Sequence, residues 1–181
     1  NKLILNNDFN QPIELNEELT RLDFGDNFNY PIVLNDKLNK LKFGEKFNQQ
    51  IQLNKNLIEL EFGNDFNYPI ILNNNLKKLY LGYYFNQLIE LNEELEVLWF
   101  GHNFNFPIIL NNNLKELKFG KLFNHPIVLN EELIYIDLGE TFNQQIDLND
   151  KLNTLKFGKL FNQHVVLNND LINLTFGHYF N

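Results

Sequence analysis

Cysteine, methionine and serine are all absent from the 181 residues, and arginine occurs once, at Arg21. Without cysteine there is no disulfide framework and no thiolate metal site, a composition that fits a reducing compartment. Without methionine even at position 1, the sequence reads as a fragment of a longer chain. A formal charge of −8 with a single arginine argues against a nucleic-acid partner, whose phosphates call for clustered positive charge. No apolar run is long enough to span a bilayer and no signal-like start is visible, so no membrane partner is expected. The length is enough for one well-buried domain.

What the chain does contain is one phrase, repeated. Phenylalanine falls at every nineteenth position from Phe9 to Phe180, each time followed by asparagine, Asn10 to Asn181. All nine glycines, Gly25 to Gly177, share one column, and all five prolines (Pro12, Pro31, Pro69, Pro107, Pro126) share another. The unit reads F-N-x-P-I-x-L-N-x-x-L-x-x-L-x-F-G-x-x. Apart from the four units without proline, its fixed columns are broken only by Leu81 and Leu138 for phenylalanine, Ile136 for leucine and Val165 for isoleucine. Residues 1–181 therefore form a single repeat domain: the end of one unit, nine full units and the start of another.

Nineteen residues leave no room for a helix of ordinary length. The spacing within a unit is that of strands, because Ile13 and Leu15, then Leu22 and Phe24, alternate with period two. Proline opens the first segment, where a missing N–H does least harm, and glycine closes the second, where a corner needs positive φ or close approach to the next coil. One unit alone buries too little apolar surface to offset the entropy of ordering its residues, so stability has to come from neighbouring units. The expected fold is a β-rich repeat solenoid, a right-handed coil with two short, parallel-stacked strands per coil. Neither end carries a polar capping coil, so further repeats or other chains are expected at the open ends.

Two asparagine columns flank the first segment, Asn10 to Asn181 and Asn16 to Asn168. Their amides suit the backbone groups of corners in their own and adjacent coils, the reading preferred here over an exposed array that binds a ligand.

"FNQPIELNEELTRLDFG" and its eight companions resemble FNIP repeats, a divergent relative of leucine-rich repeats found in amoebal and giant-virus proteins, often downstream of an F-box. The recurrence of F-N-x-P-I with L-x-x-L-x-F-G carries the resemblance along the whole chain. The unit is shorter than in many members, and asparagine stands where L-P is common before the second strand. The resemblance implies a leucine-rich-repeat-like coil and a protein-interaction scaffold, intracellular, in the cytoplasm or a virus particle. Beside an F-box it would recognise substrates as a ubiquitin-ligase adaptor, although no F-box lies in these residues. The other reading is a structural or assembly component of a virus particle or surface layer.

No enzyme is expected. The hydroxyl candidates Thr20, Thr141, Thr154 and Thr175 have no histidine nearby in sequence or in the adjacent coil. His102 and His178 stand four coils apart, so no metal site is expected, and nothing calls for a cofactor. Paired acids such as Glu17-Glu18 and Glu93-Glu94 sit at one corner, as a solvated corner would.

Function is sought in what varies. The outward position of the second strand runs Asp23, Lys42, Glu61, Tyr80, Trp99, Lys118, Asp137, Lys156, Thr175. Its charges mostly alternate in sign, and the break at its centre is aromatic. Tyr80 and Trp99 should be neighbours, with Val97 beside them and Tyr83, Tyr84 and His102 at the following corner. These six residues are the expected protein-binding patch, since tyrosine and tryptophan serve interfaces as anchors. Isolated exposed aromatics are ordinary, and contiguity is what marks this cluster. On the other segment, Tyr30, Val33, Tyr68, Ile71, Phe106 and Ile109 form an apolar comb whose two-coil period duplication alone explains.

Overall fold

The computed structural model covers residues 1–181 and contains no helix, so none is long and apolar enough to cross a membrane. Each coil contributes one strand of three residues: β1 (Lys2–Ile4), β2 (Arg21–Asp23), β3 (Lys40–Lys42), β4 (Glu59–Glu61), β5 (Lys78–Tyr80), β6 (Val97–Trp99), β7 (Glu116–Lys118), β8 (Tyr135–Asp137), β9 (Thr154–Lys156) and β10 (Asn173–Thr175). They form one parallel sheet in chain order, and the register is nineteen residues at every step, as in Leu79↔Leu98↔Leu117. The chain is thus a parallel β-solenoid whose columns align as the sequence implies.

The central residue of each strand from β2 to β9 lies in a core of 37 buried residues. Two phenylalanine columns dominate it. Within a coil their rings stack face to face, as in Phe43 on Phe47 with centroids 3.7 Å apart. Between coils the first column repeats every 5.3–5.5 Å and the second every 5.9–6.3 Å. Hydrogen-bonded strands lie about 4.8 Å apart. The spacing therefore widens away from the sheet, so the coils fan out and the sheet lines the inside of a curve.

This fan explains one departure from expectation. The I-x-L segment keeps its alternation, with Ile32 buried and Val33 88% exposed. Yet it is no strand, and no backbone–backbone hydrogen bond joins Tyr30–Leu34 to either neighbour. Asparagines tie the coils together there instead. In the first column, Asn86 Oδ1 accepts from the Asn105 N–H at 3.1 Å, and Asn105 Oδ1 from the Asn124 N–H at 3.1 Å. In the second, Asn111 Nδ2 donates to the carbonyls of Asn92 (2.7 Å) and Leu95 (2.9 Å) in the preceding coil. Both columns are structural, but the first lies near the surface and the second inside: Asn54 and Asn111 are the only buried polar residues.

The glycine column works by close approach. A Cβ at any of these positions would fall 1.6–2.3 Å from the carbonyl oxygen one coil earlier. Positive φ occurs only at Gly139, at 74°.

Candidate protein-interaction site

The outer face of the sheet is laced by ion pairs in its first coils. Lys40 meets Glu59 at 3.0 Å and Lys42 meets Glu61 at 2.7 Å, each across one strand step. Alongside, Glu96 bridges Lys77 (3.2 Å) and Lys115 (3.0 Å). The hydrogen bond from Lys115, then that from Lys77, hold the Glu96 carboxyl below its ordinary range against the opposing effect of burial. Asp23 is also lowered: burial pushes its carboxyl upward, but hydrogen bonds from Arg21 and Lys2 outweigh it.

The ladder stops at β5 and β6. There the register sets Tyr80 opposite Trp99, and the rings meet edge to face with centroids 5.2 Å apart and planes at 90°. Lys118, next in the column, places its Nζ 5.4 Å from the Trp99 ring centroid, so the indole is flanked by an aromatic edge and a cation. At the following corner Tyr83 stacks on His102 (4.3 Å, 15°) and meets Tyr84 at 4.8 Å. His102 Nδ1 in turn lies 2.8 Å from Asn103 Oδ1. Tyr83 and Tyr84 are exposed and Trp99 is 37% exposed, so coils 4 and 5 carry two aromatic clusters, the Tyr80–Trp99 pair on the sheet and the Tyr83–Tyr84–His102 group at the corner.

Val97 does not belong to it as expected. It lies on the outer face of β6, yet only 8% of it is exposed and it is no part of the core cluster. Its register neighbours Lys78 and Glu116 and its strand neighbour Trp99 all carry longer side chains, so a valine among them sits at the bottom of the surface.

Three contributions went unread in the sequence. Glu59 and Glu61 border Tyr80, whose hydroxyl titrates above its ordinary range, first because of burial and then because of Glu59, Glu116 and Glu61. Leu81 stands where most coils have phenylalanine, and it lies in the lining of an open depression of about 450 Å³ with Tyr80, Trp99, Lys118, Glu59 and Glu61. The irregularity at Leu81 was visible as a broken column, but its place in the lining of that depression was not.

No group of three or more histidine or acidic side chains is placed to hold a metal ion. The apolar comb projects in part: Val33, Ile71 and Ile109 are highly exposed, but Phe106 packs against the core, and Val128 in coil 7 projects equally and breaks the two-coil period.

Residues 9–46 match the FNIP Repeat family, and the remaining units repeat the same columns. Among curated proteins no match to the sequence is found. Among solved structures, the chain is similar to CroV588, a circular leucine-rich-repeat protein of a giant virus, with 39% identity and a TM-score of 0.91. The likeness covers 99% of the present chain and 30% of CroV588.

Proposed function

Because the chain is an FNIP-type, leucine-rich-repeat-like repeat protein, we propose that it is a non-enzymatic scaffold that binds protein through the sheet face, anchored at Trp99 and Tyr80. The observation that carries this reading is the edge-to-face pair itself, which interrupts an otherwise charged ladder at the middle of the face. Charged strand pairs at a surface contribute little to stability, whereas an aromatic pair backed by a depression offers the apolar anchor that interfaces use. Beside an F-box, as the resemblance implies, what Trp99 holds is a ubiquitination substrate.

The test is affinity capture from the native cell with the parent, Trp99→Ala, and Lys156→Ala as a remote control. Loss of a partner with Trp99→Ala alone supports the site. Retention by Trp99→Ala of every partner the parent captures removes it.

A second reading, an assembly role, is favoured by the fan. The column spacing grows from 5.4 Å to 6.1 Å across ring centroids 3.7 Å apart. That is a wedge of roughly 10° per coil, so on the order of 35 coils would close a circle. The present units would then be one arc of a ring like that of CroV588. Electron microscopy of the full-length product distinguishes closed rings from open arcs.

A further inference from the structure

The strand face divides into a part whose cations are neutralised within the protein and a part whose cations are not. From β1 to β4 every basic side chain meets a carboxylate: Lys2 and Arg21 share Asp23, Lys40 holds Glu59 and Lys42 holds Glu61. Lys78 in β5 and Lys118 in β7 meet none, for reasons set by their neighbours. The register puts Lys78 between Val97, which has no charge, and Glu59, which Lys40 already holds at 3.0 Å. It puts Lys118 between Trp99 and Asp137. Asp137 Oδ1 accepts the Gly139 N–H at 3.2 Å, and the Lys118 ammonium stays over the Trp99 ring. Across the ten strands the outward positions carry seven basic and five acidic side chains, a net charge of +2, whereas the whole chain carries −8. A negatively charged partner is repelled by the rest of the surface and drawn to this face.

The two free lysines straddle the aromatic pair. Lys78 is the first residue of β5 and Lys118 the last of β7, so a line joining them crosses β6 obliquely, over the recessed Val97 and the indole of Trp99. Tyr80 and Glu116 stand on the opposite diagonal, which fixes the direction of crossing. At about 4.8 Å per strand and about 3.3 Å per residue, the two lysines are about 12 Å apart. Seven residues of α-helix cover about 10.5 Å and return to the same side of the helix, a distance the flexible lysine side chains can match. The backbone groups of these strands are spent within the sheet, so the face offers side chains only. An extended segment laid there would lose the hydration of its own N–H and C=O groups without replacement, whereas a helix arrives with them bonded.

We propose, resting on the reading of Trp99 and Tyr80 as the anchor of a protein-binding face, that the partner presents an acidic amphipathic helix. Its carboxylates stand at positions i and i+7, one on Lys78 and one on Lys118. A large apolar side chain at i+3 or i+4 falls between them, against Trp99 and Tyr80. The aromatic pair supplies the anchor, and the lysines select the sign of the charge around it.

The test selects binders of the parent protein from a displayed library of alanine-rich helical peptides, free of tryptophan and randomised at i, i+3, i+4 and i+7. Trp99 is the only tryptophan of the chain, so its emission reports binding at the site. The selected peptides are expected to carry Asp or Glu at i and i+7 and an apolar residue between them. Lys78→Glu with Lys118→Glu is expected to weaken such a peptide at least tenfold. Lys46→Glu with Lys55→Glu makes the same change of net charge at exposed turn positions and is expected to leave binding within twofold. Replacing the two peptide acids by lysine is expected to restore binding to the Lys78→Glu, Lys118→Glu protein, which also shows that this variant is folded. Peptides that depend on Trp99 but show no acidic preference overturn the acidic helix and leave the anchor standing. Acidic peptides that bind Trp99→Ala as well as the parent overturn the anchor. A library that yields no binder, or acidic binders indifferent to the lysine reversals, overturns the proposal.

Discussion

The position a Cβ would take at Gly101 lies 2.0 Å from the carbonyl oxygen of Gly82, one coil earlier, and 2.7 Å from the backbone nitrogen of Tyr83. No side-chain rotation relieves a clash between two backbones. Gly101→Val is expected to destabilise by more than about 3 kcal/mol, which at this size means a fall in Tm of more than about 6 °C. A calorimetric scan that finds the variant within about a degree of the parent refutes the close approach.

The two asparagine columns should differ in what they contribute. Asn111→Ala leaves the carbonyls of Asn92 and Leu95 without a buried donor, at a cost of about 1–3 kcal/mol. Asn105 accepts one N–H near the surface, where water can replace it, so Asn105→Ala should cost only about 0.5–1.5 kcal/mol. Urea unfolding of both variants checks the order, and an Asn105→Ala loss equal to or above that of Asn111→Ala contradicts the burial assigned to the columns.

Glu96 links acidity to stability. Its folded pKa is depressed, so its contribution is present above the unfolded carboxylate value and is lost as pH falls through the lower, folded value. Glu96→Gln should therefore lower Tm at neutral pH and narrow its gap to the parent as the pH drops below about 4. The effect should be small, because both lysines are about half exposed. Melting curves across the acid range decide it, and a gap that stays constant through that range rules out the linkage.

The aromatic pair can be separated from folding. Tyr80 and Trp99 lie outside the core, and their edge-to-face contact should couple them by about 0.5–1.5 kcal/mol in a double-mutant cycle. Trp99→Ala should accordingly keep the protein folded at ambient temperature. Unfolding of Trp99→Ala would show that the indole supports the core instead of the face.

Column identity was legible in the sequence because each coil surrounds a given position with copies of itself, so one unit's inward and outward pattern holds for all. The sheet, the phenylalanine stacks and the neighbourhood of Tyr80 with Trp99 follow from that rule. Two things did not. The I-x-L segment alternates as a strand does, but its lack of pairing depends on the fan, a small rotation per coil that no single unit encodes. Val97 faces outward as read, yet its exposure is set by the lengths of Lys78, Glu116 and Trp99 around it. The depression beside Tyr80 likewise depends on how Glu59, Glu61, Trp99 and Lys118 from three neighbouring strands are arranged around it.

Because the coils splay away from the sheet, the face carrying Trp99 is the hollow side of the arc. A rigid flat surface laid across it would rest on the outer coils and leave the indole untouched. Only a convex body, such as a protruding loop, a helix lying across the strands or a small rounded domain, reaches the centre while also touching coils on either side. Selection by shape would then precede any selection by chemistry, with the radius of acceptable partners set by the geometry of one repeat and not by the number of repeats.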